Sequence, residues 1–355
     1  MMQDTTKILN TSRFITNSRT IKMISHEVPL EMMPASRWFN DYDYALVHLF
    51  ENHPEYLKFY EESLRMGRMV ILDNSLYELG KAFDPDKYLG WINRLKPTYY
   101  IIPDAFWDAD ATIGMAMEWM PNQGGQVDPG CKPIGVAQGS TYDEVVRSYR
   151  FFESIGVKYI AFTFKFHPDM YYSLGMDKLL CDNHGIVIMV KNEVLGGDDL
   201  IAEDKASIMR YVLLKKLQDD KVINPSIKHH LLGLQNTTFL DRICNMCPWV
   251  TSIDTSNPVT CAMEGLVYQP VTEKFNSSDE FSGTFLYIGN GGLPKPHTTI
   301  DGVFDKPVNP SCIQTMIHNI HAFRELVNPD VLVALELRTN QKIKQLIINQ
   351  KIKQS

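Results

Sequence analysis

Eight short apolar runs, each followed by a helix-length segment, constrain the fold of this chain more than any other feature of its sequence. The runs are nearly continuous in β-branched and aromatic residues, which is typical of parallel strands buried on both faces. No glycine-rich phosphate-binding turn follows the first run, as a Rossmann sheet would require. The alternation therefore predicts an α/β fold, a (β/α)8 TIM barrel. The predicted strands are Ile21–Ser25, Tyr44–His48, Met69–Asp73, Tyr99–Pro103, Pro133–Gln138, Val157–Thr163, His230–Leu234 and Val250–Asp254.

Amphipathic segments between these runs predict the helices. Asp84 followed by Pro85 has the pattern of an N-cap residue and a proline at the first helical position. At Pro54 the preceding residue is His53, which is a weaker cap. The predicted helices are Pro54–Met66, Pro85–Leu95, Ala109–Met120, Tyr142–Ile155, Glu203–Leu217 and Thr237–Asn245.

The chain is organised as one large domain with two extensions. We expect residues 1–20 to be an N-terminal extension, residues 21–330 a single (β/α)8 domain and residues 331–355 a basic C-terminal tail. The interval between the sixth and seventh strands is too long for one helix, so the run GIVIMVK and the glycines after it, within residues 185–199, predict an insertion. Residues 266–310 predict irregular structure, and residues 311–327 predict a C-terminal helical extension.

Composition excludes several classes of protein. The sequence is 44% hydrophobic and 22% charged, which is globular rather than disordered or fibrous. It has no run of about 18 apolar residues and no signal-peptide pattern, so we expect no membrane association and a cytoplasmic location. Six cysteines are too few for a disulfide scaffold. The net charge of −7 argues against indiscriminate coating of nucleic acid but leaves room for a basic patch.

The residues at the carboxyl ends of the predicted strands point to a site, because these ends converge on the catalytic face of a (β/α)8 barrel. Three of them are aspartates: Asp73, Asp104 and Asp254. One such aspartate alone is often only the N-cap of the next helix. Three converging carboxylates repel one another and therefore indicate a function. The other side chains at these ends are His26, Glu27, His48, Gln138, Thr163, Lys165 and Gln235.

Paired carboxylates of this kind suit glycosyl transfer. One can attack an anomeric carbon and form a covalent glycosyl–enzyme, while the other moves the proton of the departing and arriving groups. A further aspartate with a glutamine can read the hydrogen-bonding edge of a base. An unrelated glycoside hydrolase barrel would also account for the carboxylates. For His26 and His48 we favour a structural role.

Four matches between residues 73 and 265 resemble the tRNA-guanine transglycosylases, which exchange guanine for a 7-deazaguanine within a nucleic acid. Residues 73–78, DNSLYE, resemble the family's Asp-Ser-Gly-Gly-Phe/Tyr-Gln, and Asp104 follows an apolar strand as the family's base-reading aspartate does. Residues 135–139, GVAQG, match its Gly-x-x-Gln-Gly. Asp254, Pro258 and Gly265 keep its Asp-x3-Pro-x6-Gly pattern. Residues 231–234, LLGL, also resemble its Leu-Met-Gly-Val strand.

The resemblance implies the catalytic roles. Asp254 would be the nucleophile that attacks C1′ of the nucleoside. Asp73 would be the general base that takes the proton from the incoming base.

The resemblance also implies how a base would be held. Asp104 and Gln138 would bind the purine edge, and Tyr77 and Leu232 would cover its two faces. That arrangement agrees with the need of a flipped base for a flat aromatic surface and an apolar one opposite. Thr163, which stands in the region of a family Gly-Gly pair, is assigned to the same wall near the 7-substituent.

The zinc cluster of the family, Cys-x-Cys-x-x-Cys with a histidine, is missing. Only Cys261 and Cys312 follow Asp254, and the pair Cys244 and Cys247 precedes it. A tetrahedral zinc site needs four ligands. We therefore expect no metal and no other cofactor.

Two departures favour DNA over tRNA as the substrate. The arginines that the family uses on tRNA bases are replaced by Thr260 and Met263, and such contacts are typically worth about 1–3 kcal/mol each. Four local stretches resemble the members encoded by phages and genomic islands, which insert 7-deazaguanines into DNA, more than the tRNA enzymes: residues 26–27, 40–44, 73–75 and 102–104. The partners this implies are DNA, or alternatively tRNA, and a free base such as preQ0, with a homodimer as one assembly and the host cytoplasm as the location of a viral protein. A non-catalytic transglycosylase-like subunit is a further alternative, although such a subunit would be expected to lose a catalytic carboxylate.

Overall fold

Eight parallel strands form the centre of the molecule, a computed structural model that describes residues 22–175, 202–234, 240–273, 283–287 and 299–327. The strands are β1 (Met23–His26), β2 (Asp43–Leu46), β3 (Val70–Asp73), β4 (Tyr99–Ile101), β5 (Lys132–Ala137), β6 (Tyr159–Phe162), β7 (Lys228–Leu231) and β8 (Val250–Thr255). Their order in the sheet is β1-β8-β7-β6-β5-β4-β3-β2. The first two strands therefore lie at the two edges, and the sheet curls into a nearly closed (β/α)8 barrel.

Side chains close the seam between β1 and β2. The Asp41 N–H donates to the Ile24 carbonyl at 2.9 Å, and the Ile24 N–H donates to Asp41 Oδ2 at 2.8 Å. Asn40 bonds His26 in the same two-way manner, with Oδ1 accepting at 2.7 Å and Nδ2 donating at 2.9 Å. The Arg324 guanidinium holds the Asp41 carboxylate at 2.9 and 3.0 Å. Carboxylate and amide groups thus supply pairing that the two short strands do not make themselves.

Helices surround the barrel, and their first residues show why they begin where they do. The Asp84, Asp108 and Thr141 side chains accept hydrogen bonds from the backbone N–H three residues on, as N-caps. The helix at Pro54 has no side-chain cap. The helices are α1 (Met33–Ser36), α2 (Pro54–Arg65), α3 (Leu76–Leu79), α4 (Pro85–Leu95), α5 (Ala109–Trp119), α6 (Tyr142–Ser154), α7 (Pro168–Ser173), α8 (Ala202–Asp219), α9 (Leu240–Met246), α10 (Asn257–Met263), α11 (Ile300–Val303) and α12 (Pro310–Val327).

The last helix, α12, anchors the segment that follows β8. Buried Asn319 donates to the carbonyls of Pro258 and Leu266 at 3.2 and 2.9 Å and accepts from the Tyr268 N–H at 2.8 Å. The C-terminal helix therefore fixes α10, which begins two residues after the end of β8.

The barrel prediction is confirmed, including all eight strands and the helix at residues 311–327. Strand ends differ from the predicted ones by at most three residues, and three of them coincide. The expectation of irregular structure throughout residues 266–310 is wrong, because Gln269–Glu273 and Gly283–Tyr287 pair as an antiparallel hairpin, β9 and β10. Its alternating Val, Thr, Phe and Tyr residues are strand formers that the nearby glycines and prolines obscured.

Several predictions fall outside the described residues: the extension at 1–20, the insertion at 185–199, the tail at 331–355, and Gln235. No helix in the described part of the chain is long and apolar enough to span a membrane.

Candidate active site

A cavity of about 460 Å³ opens at the carboxyl ends of the barrel strands. Its volume lies in the range of small-molecule sites. Every residue that the sequence nominated for catalysis or base binding lines it. These residues are Asp73, Tyr77, Asp104, Gln138, Thr163, Leu232 and Asp254.

One side of the cavity, the amide-lined end, consists of Asn74, Asp104 and Gln138. Asn74 Nδ2 donates to Asp104 Oδ1 at 2.7 Å, and Gln138 Nε2 donates to Asp104 Oδ2 at 2.8 Å. All three side chains are buried, with 1–3% of their surface exposed. Burial raises the pKa of Asp104 to about 7, against the opposing effect of the two amide hydrogen bonds.

The backbone fixes both amides. Asn74 Nδ2 also donates to the Ile102 carbonyl at 3.1 Å, while its Oδ1 accepts from the Leu76 N–H at 3.0 Å. Gln138 Oε1 accepts from the Trp107 N–H at 3.2 Å. Each amide therefore has a defined orientation, and the Asp104 carboxylate is held between two donors.

A second group of lining residues, the acidic end, begins with Asp73 at the end of β3. Its Oδ2 accepts from the Tyr44 hydroxyl and its Oδ1 from the Ser75 N–H, both at 2.5 Å. Ser75 has a left-handed backbone, φ 57°, and its hydroxyl lies 2.8 Å from His48 Nδ1. Burial raises the pKa of Asp73 to about 6, although both hydrogen bonds oppose that rise.

Asp254 projects into the same end from β8 and is 2% exposed. Its Oδ2 accepts from the Gly233 N–H at 3.0 Å. His230 Nε2 lies 2.9 Å from its Oδ1. After burial, the nearby Asp254 also raises the pKa of Asp73, which agrees with their lining one cavity.

Glu27, Glu78 and Asp301 complete the acidic end. Burial, followed by the nearby carboxylates, raises the pKa of Glu27 well above its usual range. Burial likewise raises the pKa of Glu78 to about 8, with Asp73 as the next cause. The buried Glu78 Oε2 has no hydrogen-bond partner in the described residues. Burial and the neighbouring carboxylates thus favour the neutral forms of Glu27 and Glu78, and a positive charge arriving there would favour their ionised forms.

Aromatic and apolar groups line a further part of the cavity wall. The Phe164 ring packs edge-on against Tyr77, with centroids 5.1 Å apart, and covers Gly233. A Cβ on Gly233 would lie 2.4 Å from that ring, and its φ is +51°, so glycine is required there. Lys165 Nζ lies 4.4 Å from the Tyr77 ring centroid. Thr163 is 6% exposed and accepts a hydrogen bond from the Lys165 N–H at 3.2 Å.

Both strand-end histidines lie outside the cavity lining. His26 is buried, and its ring packs edge-on against Phe39 and Phe323. Burial lowers its pKa well below the usual range. His48 supports the turn after Asp73 through Ser75. These contacts favour the structural interpretation of both residues.

The cysteines show no metal centre in the described residues. Cys244 and Cys247 are buried, and no group of three or more histidine, cysteine, aspartate or glutamate side chains is arranged to hold a metal ion there.

Sequence reasoning missed three contributors to the site: the Asn74 amide, the Glu78 carboxyl and His230. It placed Glu27 among the strand-end residues but gave it no catalytic or binding role. Asn74 and Glu78 stand inside the matched run at 73–78 and Glu27 follows β1, so their positions carried a signal. His230 carried none, because its place beside Asp254 depends on the pairing of β7 with β8.

No protein-family model matches this chain, and no curated protein matches it significantly.

Proposed function

We propose that this protein is a nucleic-acid guanine transglycosylase that exchanges guanine in DNA for a 7-deazaguanine base through a covalent Asp254–C1′ intermediate. The observation that carries the proposal is one cavity lined by Asp73, Asp104, Gln138 and Asp254. The sequence resemblance assigns each of them a role, and the geometry is compatible with all four roles.

The amide-lined end is suited to read a guanine edge. Asp104 keeps free lone pairs after accepting from both amides, and an ionised carboxylate can accept from the N1–H and N2–H groups of guanine. Gln138 adds an amide that carries a donor and an acceptor. Because these groups are already oriented, little order is lost when a base binds.

The acidic end is suited to the transfer. In the first half-reaction the C1′–N9 bond breaks, its electron pair leaves with guanine, and Asp254 forms an ester bond to C1′. In the second, N9 of the incoming base attacks C1′ and the ester bond breaks. The transition states carry positive charge on the sugar, which surrounding carboxylates stabilise.

Asp73 is suited to move the proton in both half-reactions. Its protonated form gives a proton to the departing guanine, and its ionised form then takes one from the incoming base. Burial raises the pKa of Asp73 to about 6, near neutral pH, where one group serves best as both acid and base. The glycosidic bond energy is conserved in the ester, so the exchange needs no activated sugar.

A base inside a duplex cannot reach this cavity, so the guanine must be flipped or single-stranded. Tyr77 and Leu232 line the cavity and would cover its faces. Lys165, the one lysine or arginine among the residues described as lining the cavity, would contact an adjacent phosphate.

The test is exchange of a labelled base into three substrates in parallel: single-stranded DNA, duplex DNA and bulk tRNA. We expect incorporation of labelled preQ0, with release of guanine, into DNA in preference to tRNA. Asp254→Ala should abolish exchange, and Asp305→Asn, which changes an exposed aspartate outside the cavity lining, should leave it unchanged.

Incorporation into tRNA alone would assign the activity to the tRNA branch. No incorporation into any substrate, or normal exchange by Asp254→Ala, would reject the proposal.

A further inference from the structure

His230, in β7, lies directly beneath the acidic end of the cavity. It is fully buried, and its Nε2 lies 2.9 Å from Asp254 Oδ1. The two atoms are close without the alignment of a normal hydrogen bond, and neither has another hydrogen-bond partner among the described residues. A buried carboxylate oxygen and a buried ring nitrogen left unpaired are both costly, so this contact is the one available to each.

The other ring nitrogen of His230 is held from below. His230 Nδ1 lies 2.7 Å from Ser252 Oγ, and Ser252 Oγ is hydrogen-bonded to the Tyr159 hydroxyl. Burial raises the pKa of Tyr159 to about 12, so its hydroxyl keeps its proton. With the His230 proton on Nε2, facing Asp254, Nδ1 accepts from the Ser252 hydroxyl, and Ser252 Oγ can in turn accept from Tyr159.

His230 also lies near the second carboxylate of the site. The Tyr44 ring stacks on it, with centroids 5.9 Å apart, and the Tyr44 hydroxyl donates to Asp73. Tyr42 packs edge-on against the ring at 6.4 Å and donates its hydroxyl to the Ile253 carbonyl.

The groups around His230 that can change charge are therefore few. Burial raises the pKa of Tyr42 and of Tyr44 well above their usual range. Among the described side chains around His230, this leaves the carboxyl of Asp73, whose pKa burial raises to about 6, to change charge near neutral pH.

The adjacent His229 is a natural comparison. It is equally buried but points to the outside of the barrel, where its Nε2 lies 3.0 Å from the Tyr149 hydroxyl and its ring packs against Trp249. The strand thus places one histidine against a helix and the next against the cavity.

We propose that His230 is a positioning residue for Asp254: its Nε2–H fixes the orientation of the carboxylate and favours its ionised form. As a statement about catalysis this rests on the proposed function, whereas the pairing of the two side chains does not.

The first experiment needs no activity. Ring ¹⁵N spectra of the histidine-labelled full chain are compared between the wild type and Asp254→Asn. We expect the Nε2 signal assigned to His230 to move and the His229 signals to stay in place. An unchanged His230 signal would overturn the pairing, even in a protein that proves to be an active transglycosylase.

The second experiment compares His230→Leu, His230→Gln and His229→Gln in the base-exchange assay. We expect His230→Leu to lose about 10- to 100-fold in kcat, because misplacement of a reacting group by about 1 Å can cost 10²-fold. The acid limb of the pH profile of His230→Leu should move to higher pH, since a buried carboxylate that loses a donor is harder to ionise.

His230→Gln retains an N–H and should recover part of kcat, and His229→Gln should keep the wild-type pH profile. Thermal melting identifies variants that fail to fold. If His230→Leu does not fold, His230→Gln is compared with the wild type instead. A folded His230 variant with the wild-type kcat and pH profile would overturn the positioning role. If the wild type exchanges no base at all, the proposed function fails, and the spectra still decide whether the two side chains are paired.

Discussion

The two ends of the cavity bury carboxylates in opposite ways. At the amide-lined end both Asp104 oxygens accept hydrogen bonds from amides that are themselves held by the backbone. At the acidic end, Glu78 Oε2 and Asp254 Oδ1 lack a hydrogen bond of normal geometry within the described residues. The amide-lined end is therefore fixed before a ligand arrives, whereas the acidic end has two carboxyl oxygens that no donor within the described residues satisfies.

This difference corresponds to two tasks. A surface that reads a base gains from groups already in place, since little order is lost on binding. A site that stabilises positive charge in a transition state gains from carboxylates whose charge is not neutralised in the resting protein. Substitutions at either end, and one at Lys165 in the aromatic part of the cavity wall, test this division.

The largest effect is expected for Asp73→Asn, which removes the proton acceptor and donor of the acidic end. We expect kcat for base exchange to fall by about 10²- to 10⁴-fold with a smaller change in KM. In the wild type, burial raises the pKa of Asp73 to about 6, so exchange limited by deprotonation of the incoming base should rise as pH increases through 6. The pH profile of Asp73→Asn should lack this rise. A variant that exchanges bases at the wild-type rate with the same pH profile would remove Asp73 from the mechanism.

Gln138→Ala tests the amide-lined end. It removes one of the two donors on Asp104, and contacts of this kind are worth about 1–3 kcal/mol. We expect KM for the incoming base to rise by roughly 5- to 150-fold while kcat changes little. Steady-state kinetics of the variant and of Gln126→Ala, which alters an exposed glutamine remote from the cavity lining, provide the check. If kcat falls and KM does not, the amide-lined end acts in the chemical step rather than in binding the base, which contradicts the assignment.

Glu78→Gln tests the cost of ionising the Glu78 carboxyl at the acidic end, through its effect on the free energy of unfolding. Burial raises the pKa of Glu78 to about 8, above its ordinary 4.5, so its contribution to stability is full below pH 4.5 and is lost as pH rises through 8. Glutamine resembles the protonated acid. The variant should therefore match the wild type near pH 4 and have a free energy of unfolding higher by about 2 kcal/mol at pH 9.

Urea unfolding at both pH values measures this difference, with Glu55→Gln, at an exposed position, as the matched control. Equal stability of Glu78→Gln and the wild type at pH 9 would mean that burial and the nearby carboxylates do not destabilise ionised Glu78.

The smallest effect is expected for Lys165→Gln, in the aromatic part of the cavity wall. If Lys165 contacts a phosphate, affinity for a single-stranded oligonucleotide should fall about 3- to 10-fold and the salt slope of binding should decrease by about 1. Lys58→Gln, at an exposed position on α2, should change neither. An unchanged salt slope would leave Lys165 a role only in packing against Tyr77 and Phe106.

Much of the fold and the positions of the main site residues could be predicted from the sequence. Parallel strands buried on both faces have nearly continuous apolar sequences, and the polar residue that ends each of them lies at the mouth of the barrel. This reasoning placed Asp73, Asp104, Gln138 and Asp254 together, and all four line the cavity.

The contacts between those residues could not be predicted, because they join positions far apart in the chain. Asn74 bonds Asp104 across 30 residues, and His230 meets Asp254 across 24. The second contact also depends on an irregularity. His229 pairs with Val250, but His230 pairs with Ser252, so Thr251 is skipped in the register. A bulge of this kind changes which side chains face inward, and apolar alternation does not reveal it.

The central claim is that Asp254 bonds covalently to C1′ of a guanosine held in this cavity. The most direct test is to incubate the protein with a single-stranded oligonucleotide that contains one guanine, omit the incoming base, denature the mixture and measure the intact mass. The account predicts an increase equal to the oligonucleotide minus guanine, located on the peptide that contains Asp254 and missing from Asp254→Asn. Base exchange without such an adduct, or an adduct on another residue, would contradict it.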